Sequence, residues 1–436
     1  MTSPSPWRVP DFRALFSAVV LANLAMNVGY VATPLIAVTT LDAGPGEVGV
    51  LVTLMTVSFL LIGLPAGAWI DRMNHRRIMI TGELARSALC LSIPVAWWLD
   101  ALTLWQLYAV VLLHGCGTVF VDVAAQSAIP AMVGRESLVG ANAALVSLQA
   151  AGQVAGRGAG GAVVQLLAAP LSTGVVSLLH LAAALRLTRV RDTPRPPARE
   201  RPPRLAAQIR EGIRHVLADP QLRALCLAGS LSNLGIQLAN TLLPVLFTRE
   251  LGLSPGVLGL FYAAGGVGIF LGAHAARPIA RRLGGDYSRT IGVVGLALAP
   301  AALVVPLVDR GGWLWFAAAG WTLAIFKIGV DNVLAVTLRQ RRTPDALLGR
   351  MNATFRFMLM GAMALGSALA GVIGELAGVR AAMWTGAGFM AVAFVPVLFT
   401  SLRGRRGPEP AAAPPVDTTE PRSTDDPVDP VDVPGK

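Results

Sequence analysis

The sequence predicts an all-α membrane protein with twelve transmembrane helices arranged as two pseudo-symmetric six-helix bundles. Three observations lead to this prediction: an unusually apolar composition, twelve separate apolar stretches, and a repeat that relates the two halves of the chain. Of the 436 residues, 54% are hydrophobic and 14% are charged, whereas soluble domains carry about 25% charged residues. A soluble fold of this size could not bury so much apolar surface, so we expect the chain to lie in a lipid bilayer.

Twelve stretches hold the roughly 20 mostly apolar residues that a helix needs to cross a bilayer. The predicted spans are 14–39, 48–70, 78–99, 103–129, 138–161, 166–187, 222–247, 256–278, 289–308, 313–338, 346–373 and 379–401. They divide the chain into an N-terminal bundle (1–188), a cytoplasmic linker with an interfacial helix (189–218), a C-terminal bundle (219–402) and a tail (403–436). The tail is rich in Pro, Ala and Asp, and this composition predicts disorder.

Arginines concentrate in the loops on one side of the predicted spans. Arg76 and Arg77 lie in one such loop, and a second arginine-rich loop lies within residues 189–214. The loops on the opposite side hold acidic residues such as Asp42 and Glu47. By the positive-inside rule, we expect a multi-pass protein of the cell membrane with both termini in the cytoplasm. This loop asymmetry also accounts for the net charge of +11, so we expect no nucleic-acid partner.

A shift of 210 residues superposes landmarks of the first half on the second. Gly49 falls on Gly259, and Arg72 falls on Arg282. Because six spans separate the copies, both copies cross the bilayer in the same direction. Parallel repeats of this kind occur in secondary transporters, where the substrate binds between the repeats near the bilayer midplane.

The repeat includes a polar stripe on the first span of each half. Asn23, Asn27 and Tyr30 have the i, i+4, i+7 spacing of one helix face. At the same shift they fall on Asn233, Gln237 and Asn240. Two related stripes predict a shared, wetted cavity between the halves. The alternative is that these amides only hold packed helices together.

The loop between the second and third spans carries a recognisable motif. Residues 67–77 read GAWIDRMNHRR and resemble the cytoplasmic loop signature of the major facilitator superfamily, with Asn74 in place of the usual glycine after the Asp-Arg pair. The stretches 120–130 (FVDVAAQSAIP) and 343–356 (TPDALLGRMNATFR) look like the actinobacterial drug- and metabolite-exporter branch. The resemblance covers roughly residues 12–400 and implies the major facilitator fold. It also implies an inner-face charge cluster that latches the halves in the outward-facing state, comprising Gly67, Asp71, Arg72, Arg76, Arg77, Glu83 and Arg86.

Residues 152–161 (GQVAGRGAGG) are similar to the antiporter signature of drug exporters, with Arg157 where that pattern carries proline. The glycines could equally serve close helix packing, because small residues at four-residue spacing let helices approach. In the same way, Arg76 and Arg77 could be topology signals only.

Charged and titratable residues within spans are costly and are functional candidates by default. The candidates for proton coupling or ion pairing are His114, Asp122, Arg157, Lys327, Asp331 and Arg356. Each has a structural alternative. Lys327 and Asp331 have the i, i+4 spacing of a permanent ion pair, Asp122 could pair with Arg86, and His114 could make a polar core contact.

The resemblance and the repeat together predict a secondary active transporter. We expect proton-coupled export of a hydrophobic or amphipathic small molecule, such as an antibiotic or a siderophore-like metabolite, by a monomer; the alternative is an importer or facilitator for a small nutrient. Five scattered histidines and the absence of a phosphate-binding glycine loop argue against an enzyme or an ATP-driven pump. The spacing of the three cysteines predicts neither disulfides nor a metal site, and no cofactor is expected.

Overall fold

The computed structural model describes residues 5–70, 73–191, 205–344 and 347–403, and its regular secondary structure is helical throughout these ranges. Asp71 and Arg72 of the predicted charge cluster lie outside the described residues, as do 192–204 of the linker and 404–436 of the tail. Gly67 lies in a helix, but the structure describes only the backbone of residues 64–68.

The first half of the chain contains six helices. They are α1 (Pro10–Thr39), α2 (Pro45–Ile70), α3 (His75–Trp98), α4 (Leu104–Ala151), α5 (Arg157–Leu167) and α6 (Ala169–Leu187). Local side chains fix several of their starts: the Asn74 side chain accepts a hydrogen bond from Arg77 N at α3, and Thr103 accepts one from Gln106 N at α4, which satisfies donors that the first turn of a helix leaves free.

The second half begins with the amphipathic helix α7 (Leu205–Ala218) and continues with helices that repeat the first half. These are α8 (Pro220–Thr241), the single turn α9 (Leu243–Val245), α10 (Pro255–Arg282), α11 (Tyr287–Val304), α12 (Gly312–Arg341), α13 (Leu348–Ala377), α14 (Val379–Val392) and α15 (Val395–Arg403). The twelfth predicted span is therefore divided between α14 and α15.

Within the described residues, ten helical segments are long and apolar enough to cross a membrane. The other two predicted spans, the fifth and the seventh, are interrupted or polar. α4 breaks at Gly134, where φ is +71°, and the fifth span continues through a π-helical turn at Gly152–Gly156 into α5. The seventh span carries the polar stripe on α8 and ends in a π-helical turn at Leu246–Glu250. Both segments are helical, but a helix break or polar side chains keep them from meeting the length and apolarity of the other ten.

The two halves meet at one end of the bundles, which we call the loop face because it carries the α1–α2 and α5–α6 connections. The opposite end, the terminal face, carries the start of α1 and the α2–α3 connection. At the loop face α2 packs on α13 and α5 packs on α10. Gly49 touches Gly371 in the first contact, and Gly161 touches Gly259 in the second. A Cβ on Gly161 would lie 2.7 Å from Gly259 Cα, so both contacts depend on the missing side chain.

These two contacts are equivalents of each other under the 210-residue repeat, which relates Gly49 to Gly259 and Gly161 to Gly371. The same symmetry extends to the neighbouring helix starts. Glu375 Oε2 accepts a hydrogen bond from Gly46 N at 3.1 Å, and Gln165 lies against Gly256. The loop face is therefore closed by two copies of one seal.

At the terminal face, α7 packs against α13. Arg350 Nη1 lies 2.5 Å from Glu211 Oε2, and Val216 is buried in the core of the second half. Asp219, just after α7, caps α8, and its Oδ2 lies 3.2 Å from Arg342 Nη1. Burial raises the pKa of Asp219, but hydrogen bonds from the Leu222 and Gln221 amides and the Arg342 guanidinium lower the pKa below its ordinary value overall.

Candidate functional site

A central cavity of about 320 Å³ lies between the two halves. The first half contributes side chains from α1, α2, α3, α4 and α6, and the second half contributes side chains from α8 and α13. Most of the lining is apolar, and four methionines line it: Met26, Met55, Met360 and Met363. Methionine is flexible and polarisable, so such a wall adapts to differently shaped apolar molecules.

The polar groups of this wall come from both halves. His114 and Asp122 face it from α4, and Gln237 and Arg356 face it from α8 and α13. Arg356 also lies over the Phe59 ring at 4.2 Å, so it makes a cation–π contact with the opposite half. No ion pair to Arg356 occurs among the described side chains, which leaves its charge available to a molecule in the cavity.

A second, smaller cavity of about 90 Å³ lies within the first half, closer to the terminal face. Asn23, Glu83 and Arg86 line it, and Asp122 lines both cavities. Asp122 therefore lies between the central cavity and this smaller cavity.

Between the two cavities runs a buried polar network. Glu83 Oε1 lies 2.9 Å from Arg86 Nη1, and Glu83 Oε2 lies 2.7 Å from His180 Nδ1. His180 Nε2 in turn lies 3.2 Å from His114 Nε2. Glu83, Arg86 and His180 are all at most 2% exposed. Because the charges of Glu83 and Arg86 compensate each other directly, this part of the network can remain buried.

The family resemblance implied an inner-face latch that combines Glu83 and Arg86 with the α2–α3 loop. Glu83 and Arg86 are buried in the helix core, and Arg76 Nη2 of the loop donates to Thr188 O at 2.8 Å. The backbone amide of Arg77 donates to Asn74 Oδ1. The latching role stays a prediction.

Arg157 lies at the junction of the halves. Its guanidinium carbon is 4.3 Å from the centre of the Tyr30 ring and 5.9 Å from that of Tyr262, and the two rings pack edge to face at 5.7 Å. Tyr30 belongs to the first half and Tyr262 to the second, so one cation contacts aromatic rings of both halves.

Lys327 and Asp331 form an ion pair within α12, with Nζ and Oδ2 2.6 Å apart. Lys327 is 7% exposed and also lies 3.5 Å from Ser232 Oγ on α8. The pair lies in the interior of the second half, and neither residue lines the central cavity. This placement favours a structural pair over direct contact with a transported molecule.

The polar stripes divide between cavity and packing. Of the six predicted residues, Tyr30 and Gln237 line the central cavity, and Asn23 lines the smaller cavity. Asn27 is buried and donates to Asn23 O at 2.8 Å; it packs against Gly156 of the π-helical turn. Asn240 is buried and its backbone carbonyl accepts from Tyr262 Oη at 3.3 Å. Asn233 is absent from both linings. Close helix packing draws these amides away from the cavity.

Sequence spacing did not reveal that Cys90 and His180 join His114. The structure brings these three side chains, from α3, α6 and α4, within 4.8 Å of one another. They lie far apart along the chain and no short motif contains them, so only the packing of three helices could show the cluster.

The sequence profile described as "Major Facilitator Superfamily" matches residues 15–330 and, in a second match, residues 225–425. The chain is a member of the major facilitator superfamily. It is therefore an integral membrane transporter with the major facilitator fold, and not an enzyme.

Curated relatives of this superfamily member include several proteins named enterobactin exporter EntS. The relative from Citrobacter koseri (strain ATCC BAA-895 / CDC 4225-83 / SGSC4696) is 28% identical over 409 residues, which cover 92% of this chain and 94% of the relative. The relative from Salmonella choleraesuis (strain SC-B67) is 27% identical over 368 residues, which cover 84% and 86% of the two chains.

Solved structures of the same fold include a bacterial homologue of the lysosomal transporter Spinster in an inward-facing, occupied conformation. It superposes with a TM-score of 0.71 at 17% identity and covers 93% of this chain and all of that one. A bacterial homologue of the iron transporter ferroportin, in an inward-facing state, superposes with a TM-score of 0.69 at 17% identity, covering 89% and 98%. At such identities the likeness establishes the fold alone.

Proposed function

We propose that this transporter exports a siderophore-like or other amphipathic small molecule from the cell by alternating access, in exchange for protons. The observation that carries the proposal is the central cavity between two halves that meet at the loop face through matched glycine contacts. Relatives named as enterobactin exporters, which align over most of the chain, supply the direction of transport and the class of cargo.

The chemistry of the cavity wall supports an amphipathic cargo with an anionic group. The methionines and other apolar side chains would cover an apolar surface, and Arg356 offers a cation that pairs with no described carboxylate. A few polar groups placed in a largely apolar cavity are typical of small-molecule sites. Gln237, held by its amide donating to Ser367 Oγ at 3.0 Å, offers a further polar contact.

Under the positive-inside rule, the arginine-rich loops support a cytoplasmic location for the terminal face. With that orientation the two glycine seals lie at the outer surface, and the conformation corresponds to an inward-facing state that receives cargo from the cytoplasm. Opening of the seals, with closure at the terminal face, would then release the cargo outside. The motifs at 120–130 and 343–356 support membership of the actinobacterial exporter branch as part of this proposal.

Asp122 is the residue we assign to proton coupling. Its carboxylate lines both cavities, so protons from one side and cargo on the other can reach the same group. Titratable carboxylates within spans are typical of proton relays in transporters. We assign the Lys327–Asp331 pair a structural role, because the Asp331 carboxylate already forms an ion pair with Lys327.

The test is efflux from cells that lack their own exporters. Cells expressing the chain would be loaded with enterobactin or with fluorescent dyes, and the retained amount would be followed with and without a protonophore. We expect protonophore-sensitive efflux that Asp122→Asn abolishes. The matched control is Asp100→Asn, in the exposed loop after α3 at φ +51°, a conformation that asparagine also adopts; it should transport normally. Equal efflux from both variants would refute the role of Asp122, and uptake in place of efflux would refute export.

A further inference from the structure

Three potential metal ligands meet in the wall of the central cavity. The ligand atoms of Cys90, His114 and His180 lie within 4.8 Å of one another, and Cys90 and His114 line the cavity. We propose that these three side chains bind a divalent transition metal ion of the Zn²⁺ class. Imidazole and thiolate ligands suit Zn²⁺, Co²⁺ and copper, and they suit Mg²⁺ or Ca²⁺ poorly. The proposal does not rest on the proposed export function.

The spacing of the two imidazoles fits a shared ion. His114 Nε2 and His180 Nε2 are 3.2 Å apart. Two nitrogens that each lie about 2.0–2.1 Å from a tetrahedral Zn²⁺ are separated by about 3.3 Å. The two rings therefore already hold the separation that joint coordination requires, and the ion would bind with little movement of α4 or α6.

The outer contacts also suit a metal site. His180 Nδ1 lies 2.7 Å from Glu83 Oε2, and a histidine that binds a metal usually donates its other ring N–H to such a carboxylate. When Nδ1 carries the proton in the neutral ring, Nε2 has a free lone pair. Glu83 thereby turns His180 Nε2 into an acceptor that faces His114 and Cys90.

With His180 neutral and its proton on Nδ1, hydrogen bonding leaves one contact of this cluster mismatched. Arg86 Nε points its N–H at His114 Nε2 from 3.5 Å, while His180 Nε2 presents a lone pair to the same atom. If His114 Nε2 is protonated, it opposes the N–H of Arg86; if it is not, it opposes the lone pair of His180. An ion between the rings would accept both lone pairs. Arg86 is a neighbouring cation that opposes the ion, and its Nη1 is anchored on Glu83.

Three protein ligands leave a fourth tetrahedral position. Since Cys90 and His114 belong to the cavity wall, that position would face the cavity and hold water or a donor atom of a molecule bound there. Sites with three protein ligands and one open position are the usual form of zinc sites that act on or bind small molecules. All three ligands lie in the first half, so the ion would not cross-link the moving halves.

The test is a Co²⁺ titration of the purified, detergent-solubilised full chain, with Co²⁺ as a spectroscopic substitute for Zn²⁺. We expect one Co²⁺ per chain, with a thiolate-to-cobalt charge-transfer absorption and the intense visible bands of a tetrahedral site, and loss of both on addition of Zn²⁺. Cys90→Ser should remove the charge-transfer absorption. Cys116→Ser removes a different free cysteine, on α4, and should retain the charge-transfer absorption.

Two further variants make the proposal specific. His180→Gln should weaken binding at least tenfold, and Arg86→Gln should strengthen it at least tenfold because the opposing positive charge is gone. Should Cys90→Ser fail to yield folded protein, His114→Gln carries the same expectation of weakened binding. Charge transfer that survives Cys90→Ser or disappears in Cys116→Ser would overturn the proposal, as would the absence of stoichiometric Co²⁺ binding to the unaltered chain.

Discussion

The glycine seal at the loop face gives a direct way to shift the conformation of the transporter. In Gly161→Ala, the new Cβ would lie 2.7 Å from Gly259 Cα and 2.7 Å from Pro255 O. Both neighbours are backbone atoms of α10 and cannot rotate away. The substitution can therefore be accommodated only if α5 and α10 separate at this face, which is the movement that opens the seal.

The size of the effect follows from the overlap. Carbon atoms pack best at about 3.5–4.0 Å, so the helices would have to part by about 1 Å. Overpacking of a well-packed contact typically costs about 1–3 kcal/mol. If the open state carries none of that cost, the ratio of open to closed seal rises about 5- to 150-fold.

The assay is a distance measurement between spin labels at the two ends of the seal. Labels at Leu166 on α5 and Leu376 on α13, both 82% exposed, would report the separation of the halves in a cysteine-free background. Gly161→Ala should move population to the longer distance. Gly158→Ala, also on α5, is the matched control because its Cβ would lie 3.6 Å from Ala263 Cβ, an ordinary contact. An unchanged distance distribution in Gly161→Ala, or the same shift in Gly158→Ala, would refute the reasoning.

Three further predictions concern buried or capping charges. Asp331→Asn should lower stability by about 3–5 kcal/mol because it leaves the buried Lys327 charge unpaired, and adding Lys327→Met should recover most of the loss. Thermal unfolding in detergent measures both variants. A single variant as stable as the unaltered chain would contradict the buried pair. Glu83→Gln should lower the unfolding temperature for the same reason, since Arg86 loses its partner, whereas an unchanged unfolding temperature would mean that Arg86 has another counter-charge. The pKa of Asp219 lies below its unfolded value of about 3.9, so its contribution to stability is present above that pH and is lost as the pH falls through the folded pKa. Asp219→Asn should be less stable at neutral pH and should lose less stability on acidification. Parallel profiles of stability against pH for the two proteins would count against the cap.

Local patterns in the sequence predicted the features that depend on neighbouring residues. The spacing of Lys327 and Asp331 along one helix predicted that they meet, and they do. Hydropathy predicted the spans, because the bilayer requires long apolar segments wherever a helix crosses. The least certain boundary, between the fifth and sixth spans, lies at Ala168, where a φ of +66° separates α5 from α6; no residue type there announces a positive φ.

Features that depend on how helices dock were less accessible. The repeat matched Gly49 to Gly259, yet these two glycines do not touch each other. Gly49 contacts Gly371, and Gly259 contacts Gly161. The sequence shows which residues are equivalent but not which of them touch across the pseudo-twofold axis. In the polar stripe, Asn27 hydrogen-bonds to Asn23 one turn earlier, but its packing against Gly156 of the π-helical turn directs it into a helix contact.

The central claim, export by exchange with protons, is tested most directly in liposomes that contain only the purified protein. With the lumen more acidic than the medium, protons leaving the lumen should drive enterobactin inward, whichever way the protein is inserted. The account predicts accumulation that requires the acidic lumen, stops when an ionophore collapses the gradient, and is absent from Asp122→Asn liposomes. Accumulation that requires an alkaline lumen would show co-transport with protons, and gradient-independent equilibration would show a facilitator; either result would contradict the account.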